Sequence, residues 1–508
     1  MRAEQRWIGL TSGLVSRAIR FLSTFAIATA CLRAFGASTW GTVAVAIAAA
    51  ELSTFADFAL PELCVFAAAR ARDRAELQAR IGQVLWLSVP PAALCTLALL
   101  GAAYNTPLWF HGTASEHATL RQVLTASACG SPLLLIANCY AGTLQGLGHL
   151  REVSSAYALS SLIELGMVLG LLALACSPAD VQWARAASQL FRLACTLLCY
   201  PQLRIAIPRP ETPLAAELRE LARYSAGRSL LKLLGGALSY GHLPVVQAFT
   251  TTATLGAYDA TNRLGSVLQR AANPVWDSLF QRLVRSFDSG ANAAQRAAGR
   301  RDFLAGTQLL VALSAIATLA TLNLAPWLFP LWLGASLADE PVRFAPWVMA
   351  TWSLSLGTGM CTAVLAARPQ LRAANVAHAL AVMTTLASVI WWGPRDGRFA
   401  LLAGPALGNT VLALGLVAFA CRSAEVPLGT FVRGAAAIWA PAGLALLAPC
   451  SSLVVSGLLT LAGTAGVALV TIRAEPVRSL ARDFRNAAAS TPPTPPSPPL
   501  QKPARARS

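Results

Sequence analysis

The sequence predicts an all-α integral membrane protein of about fourteen transmembrane helices, two six-helix bundles followed by two further helices. Three observations carry that fold class. Of 508 residues, 55% are hydrophobic and only 12% charged, with a mean hydropathy of +0.55, far more apolar than a soluble chain. Apolar runs long enough to cross a hydrocarbon core of about 30 Å recur along most of the chain. The short gaps between them alternate between arginine-rich and nearly arginine-free.

The runs fall at 10–33, 38–62, 81–104, 119–147, 154–176, 183–203, 226–247, 252–281, 303–326, 341–366, 371–393, 399–421, 429–449 and 452–473. MRAEQRW, leading into apolar residues and ATACLRAFGA, resembles a secretory leader, but so many similar segments follow that it reads as a retained first helix. One set of gaps carries Arg70, Arg72, Arg74 and Arg80, then Arg151, then Arg204 to Arg223, then Arg282 to Arg301, then Arg368 and Arg372, then Arg422. The stretches NTPLWFHGTASEH, SPADVQ, FTTTAT and LFPLWLGASLADEP carry none. The positive-inside rule therefore places both termini and the arginine-rich loops in the cytoplasm. WWGPRDGR, with Arg395 and Arg398, opposes the pattern and is partly offset by Asp396.

Residues 1–203 form the first bundle, 204–223 a cytoplasmic connector with a short amphipathic helix after its prolines, and 224–428 the second bundle. Two more spans occupy 429–473. The basic segment 474–508, ending in STPPTPPSPPLQKPARARS, reads as a disordered cytoplasmic tail. The halves also repeat weakly: a shift of about 215 residues lays Gly41 on Gly256 and Arg17 on Lys232. Duplicated transporter folds place the substrate site between the repeats.

Several charges lie within the spans. Arg17 and Arg20 sit near the start of the first and Arg33 near its end; they either snorkel to the two surfaces or face a water-filled cavity. In the eighth segment Asp259, Arg263, Arg270 and Asp277 fall within about 40° of one another on a helical wheel. This stripe is either a cavity lining or a set of structural ion pairs led by Asp259 and Arg263 at i, i+4. Lys232 is a further cavity candidate, with Arg228 one turn before it as an anchor. Glu51, Asp57 and Glu164 either pair with the arginines of segment one or bind a coupling proton or sodium ion.

Other chemistry finds no support. The net charge of +17 comes almost wholly from arginine, since Lys232 and Lys502 are the lysines, and there is no soluble basic domain to hold nucleic acid. Eleven cysteines are scattered singly, and Cys195 and Cys199 lack the neighbours a metal site needs. The sequence has no GxxxxGK[ST], HExxH or GxSxG motif, so neither an enzyme nor a cofactor is expected.

Four stretches carry a family resemblance. WGTVAVAIAAAELSTFADFALPELCVFAAARARD resembles the second-helix region of polysaccharide flippases, with Asp57-Phe58-Ala59-Leu60 in place of the usual Asp-Leu-Gly-Leu. YAGTLQGLGHLREVSSAYALSSLIELGMVLGLL resembles their hairpin between helices four and five. LGAYDATNRLGSVLQRAANPVWDSLFQRL, with Gly256, Tyr258 and Pro274, resembles the helix that opens their second half, and LFPLWLG the outer end of helix nine. The chain thus resembles the Wzx-type O-antigen and exopolysaccharide flippases, in the superfamily that also holds multidrug extruders and lipid II flippases.

That resemblance implies two bundles around a central cavity and a cargo of undecaprenyl pyrophosphate-linked oligosaccharide, moved across the bacterial inner membrane. It implies membrane lipids, a polysaccharide polymerase and a chain-length regulator as partners. By helix order it maps the cationic cavity onto Arg17, Arg20, Lys232, Arg263 and Arg270. A lipid II flippase, a cation-coupled drug extruder of the same fold and a membrane scaffold for glycosyltransferases are the alternatives; the extruder predicts an acidic, aromatic cavity.

Overall fold

The computed structural model describes residues 3–55, 59–71, 73–199, 214–287, 291–367, 371–447 and 452–489. Asp57 falls outside them, as do the side chains of Arg17, Arg270 and Asp277. Every described element is helical. The first half comprises α1 (Ala3–Phe55), α2 (Leu60–Arg70), α3 (Arg74–Tyr104), the single turn α4 (Thr106–Trp109), α5 (Ala114–Gly146), α6 (Leu150–Ala173) and α7 (Pro178–Cys199). The second comprises α8 (Leu214–Tyr240), the short α9 (Leu243–Val246), α10 (Thr252–Ser286), α11 (Ala293–Leu333), α12 (Ala335–Gly357), α13 (Gly359–Ala367), α14 (Leu371–Trp392) and α15 (Gly397–Ala424). Then come α16 (Leu428–Leu447), α17 (Leu453–Arg473) and α18 (Glu475–Ala489).

The described residues of the fourteen apolar runs are almost all helical. Among the described residues, ten helices are long and apolar enough to cross a membrane. The helices of segments six, seven and eight, α7, α8 and α10, fall outside that set because they carry polar and charged residues. Segment one and residues 38–55 of segment two lie within α1, broken only at Gly36, where φ is 78° and ψ 167°, and residues 60–62 open α2. Arg20 and Glu51 face the same cavity, whereas a straight helix would hold them about 45 Å apart. The chain therefore reverses at Gly36, in a left-handed region that glycine enters without strain.

Three boundaries differ from expectation. The connector helix does not stand apart, because α8 runs unbroken from Leu214 into segment seven. That segment then breaks at Gly241 and His242, where Pro244 has no amide hydrogen to give and its ring crowds the carbonyl of Tyr240. The tail is not disordered from residue 474: α18 follows α17 almost at once and buries Leu480 against Phe287, Phe303 and Phe431. Arg282 Nε binds Asp302 Oδ2 at 2.9 Å and its NH2 reaches Asp483 of α18 at 3.4 Å; Arg301 bonds Ser479 at 3.2 Å. Residues 490–508 lie outside the described set.

At the arginine-poor end of the bundle one apolar core joins the halves, with Trp40, Val43 and Phe110 against Val246, Leu255 and Phe344. Polar contacts reinforce it. His111 N donates to Gln247 Oε1 at 3.0 Å; of the two exceptional arginines of WWGPRDGR, Arg398 binds Glu340 at 2.8 Å and Arg395 bonds the carbonyl of Trp391 at 3.0 Å. Asp396 instead caps α15, accepting from Phe399 N at 3.0 Å. Toward the arginine-rich end the cores separate, with Leu77, Ile81 and Leu144 in the first half and Leu279, Leu283 and Met360 in the second. There Lys232 Nζ of α8 bridges to Glu62 Oε1 of α2 at 2.7 Å. The two last spans, α16 and α17, pack on α11 through Ile438, Ala442 and Val467.

Candidate functional site

A polar cavity of about 250 Å³ lies between the halves, lined by α1, α5, α6 and α7 on one side and by α8 and α10 on the other. Four arginines, Arg20, Arg185, Arg192 and Arg263, and three carboxylates, Glu51, Glu164 and Asp259, line it. Helical spacing explains the concentration of charge. In α7, Gln182, Arg185, Gln189 and Arg192 recur at intervals of three and four and all face the cavity, while Trp183, Leu190 and Leu198 face outward. In α10, Asp259, Asn262, Arg263 and Ser266 repeat the arrangement from the opposite wall.

The arginines are committed unequally. Arg263 Nε donates to Asp259 Oδ2 at 2.7 Å, and the same oxygen accepts from Trp40 Nε1 at 3.0 Å. The Arg263 guanidinium lies 5.2 Å from the Trp40 ring centroid, so this charge is held by a carboxylate and an aromatic ring that are themselves bonded to each other. Arg185 reaches Glu51 Oε1 at 3.1 Å. Arg192 is 4% exposed, donates through NH2 to Asn138 Oδ1 at 2.9 Å, and its buried Nε has no hydrogen-bond partner among the described residues. Its guanidinium carbon lies 4.4 Å from the centroid of Tyr157, and that of Arg20 lies at the same distance from the same ring. Tyr157 OH in turn donates to Asn138 Oδ1 at 3.2 Å. Burying a guanidinium nitrogen without an acceptor is costly, so the Tyr157 shelf is chemically incomplete as it stands.

Of the site residues read from sequence, Arg20, Arg263, Glu51, Glu164 and Asp259 meet in this cavity. Lys232 is not among its lining and spends its charge on Glu62. Glu51 pairs with Arg185 of segment six, and Glu164 accepts from Ser188 at 3.3 Å. Arg33 donates to the carbonyl oxygens of Leu331 and Trp332 at 3.2 and 2.6 Å, where a cation complements the C-terminal end of α11. Arg185, Arg192 and Tyr157 were missed. The polar stripe of α7 carried the signal, at the same period that exposed the stripe of α10.

No protein-family model matches the chain, and no curated protein does. Solved structures do match in fold. A lipid II flippase, MurJ, in an inward closed conformation superposes with a TM-score of 0.69 at 8% identity, covering 94% of this chain and 99% of that one. A multidrug resistance transporter of the MATE family, within the MOP superfamily, in an inward-facing conformation gives 0.64 at 13% identity, covering 84% and 99%. A MOP superfamily transporter from Pyrococcus furiosus, described as having a binding pocket of reverse polarity that suggests a different function, gives 0.53 at 13%, covering 82% and 93%. The fold is thus the all-α, multi-pass, two-bundle fold of these transporters.

Proposed function

We propose that the chain is a transporter that moves a polyprenyl diphosphate-linked saccharide across the bacterial inner membrane, from the cytoplasmic to the periplasmic leaflet, by alternating access. The observation that carries this reading is the Tyr157 shelf. Two guanidiniums over one ring, one of them buried with an unsatisfied nitrogen, form a site that an anion's oxygens complete. A diphosphate crossing the membrane must exchange its hydration for fixed donors, and the planar fork of arginine suits it. Fold alone does not choose the cargo, so the charge of the cavity decides. Four arginines against three carboxylates favour an anionic cargo over the cationic drugs of an extruder.

Among saccharide cargoes, a lipid II-like molecule is one candidate, suggested by the fold overlay on MurJ across 94% of the chain. The O-antigen reading rests on the order of the sequence motifs. Both readings place the termini in the cytoplasm and the arginine-poor end in the periplasm. Reporter fusions after Gly112 and after Ser289 should then give opposite signals, and the same signal from both would remove the orientation.

The test of function is flipping in proteoliposomes. A fluorescent polyprenyl diphosphate saccharide should cross in a protein-dependent manner, and Arg192→Ala should abolish the crossing at an unchanged protein level. Equal crossing of a neutral glycolipid, or full activity of Arg192→Ala, would overturn the proposal. Competition between lipid II and a diphosphate-linked O-antigen unit then ranks the two cargoes.

A further inference from the structure

The last described helix has two unlike faces at the arginine-rich end. α18 begins directly after α17 closes, with Ala474 alone between them in extended backbone. Its inner face is anchored. Leu480 is buried in the core that holds Phe303 and Phe431, and Val477 lies against the same core. Asp483 accepts from Arg282 at 3.4 Å, and Ser479 from Arg301 at 3.2 Å. Phe303 opens the apolar run 303–326 and Phe431 lies at the start of 429–449, so α18 sits at the depth where those spans leave the hydrocarbon.

The outer face carries charge. Arg478 and Arg482 are one turn apart, and each is two residues from Leu480, about 200° around the helix, which turns both away from the anchor. Both are exposed, as is Arg473 at the end of α17, and none of the three has an ion-pair partner among the described residues. The exposed carboxylate of α18, Glu475, is in its first turn, where the helix amides offset part of its charge. An interfacial helix ordinarily sinks its apolar side into the acyl boundary, but here Val477 and Leu480 are already taken by protein. What remains for the bilayer is a fixed row of guanidiniums at headgroup depth, which phosphate groups complement. We propose that Arg473, Arg478 and Arg482 form a contact site for anionic phospholipid headgroups in the leaflet at the arginine-rich end. Because the anchor holds α18 before lipid arrives, little ordering entropy opposes binding. The site lies outside the central cavity and stands whatever cargo the cavity takes.

Hydrogen exchange over 475–483, measured on the full chain in lipid nanodiscs, tests the site. Discs of phosphatidylcholine alone are compared with discs that also hold phosphatidylglycerol. At low salt, exchange in the anionic discs should be slower by roughly tenfold, since lipid bound to docked α18 opposes its opening, and high salt should remove the difference. Arg473→Gln/Arg478→Gln/Arg482→Gln should exchange alike in the two lipids and match the parent in phosphatidylcholine. Arg473→Lys/Arg478→Lys/Arg482→Lys should keep the slowing, because the charge near the headgroups is what binds. Equal exchange of the parent in the two lipids overturns the proposal, and is the result expected if the arginines serve a soluble acidic partner instead. So does slowing that persists in the glutamine variant. If that variant undocks α18, seen as faster exchange even in phosphatidylcholine, the lysine variant decides, and loss of the slowing there overturns the proposal as well.

Discussion

The two walls of the cavity carry similar residues to different ends. On the second-half wall Arg263 is bound by Asp259, its neighbour one turn away, and the pair is braced by Trp40. On the first-half wall Arg192 has no carboxylate within ion-pair distance among the described residues, and its neighbours are an amide and an aromatic ring. The first arrangement spends its charge internally, whereas the second keeps it available. Whether an intramembrane arginine keeps its charge for a ligand thus depends on counter-charges supplied by other helices.

Four experiments break or sharpen this contrast. The largest effect belongs to the braced pair. Asp259→Ala strands the Arg263 charge, whose side chain is only 20% exposed, and should cost about 3 kcal/mol in unfolding stability. Asp259→Leu combined with Arg263→Leu should recover most of it, as measured by denaturation in detergent. A double variant no better than the single would mean that Arg263 too is an open site.

Next is Arg192→Ala, which should weaken binding of a polyprenyl diphosphate by about ten- to a hundredfold with little change in unfolding midpoint. Arg192→Lys should restore only part, because it keeps the charge and loses the fork. Calorimetric titration reads both. Equal affinity in the alanine variant would erase the difference between the walls.

A smaller effect comes from Glu51. Its ion pair with Arg185 is partly open to the cavity, at 28% and 45% side-chain exposure, so Glu51→Gln should release Arg185 and tighten diphosphate binding by about two- to fivefold. Weaker binding would show that Glu51 orients the arginine instead. The least effect is expected at Lys232 and Glu62, which bridge the halves with side chains 31% and 32% exposed. A double-mutant cycle on stability should give a coupling below about 1 kcal/mol.

The fold was readable because span length and loop arginines are local properties. The described residues of the fourteen segments are almost all helical, and the repeat seen in Gly41 and Gly256 is a physical contact. The site was readable in part. The stripe of α10 stood out by carrying four formal charges, but its leading pair satisfies itself, while α7 carries two arginines among glutamines and looked like an ordinary span. Which carboxylate meets which arginine, Glu51 with Arg185 or Glu62 with Lys232, is decided by helices far apart in sequence, and no local spacing encodes it. Similarly, α18 was hidden because the composition of 474–508 is dominated by its last residues, whereas Val477 and Leu480 sit at helical spacing. Ala59 shows the reverse case. The resemblance expected glycine there, and the residue adopts φ 53° and ψ 27°, a left-handed conformation in which an L side chain costs about 1–2 kcal/mol.

The turn at Gly36 joins the first two spans with a single non-helical residue and no slack, and a Cβ there would meet nothing within 4 Å. Mechanically it works as the rivet of a pair of scissors. One blade carries Arg20 and the other Glu51, at nearly equal reach from the pivot, and the second blade also bears Gly41 just beyond the rivet. By lever geometry, a small change of angle at Gly36 is multiplied along the two helices into a larger change in the gap between Arg20 and Glu51.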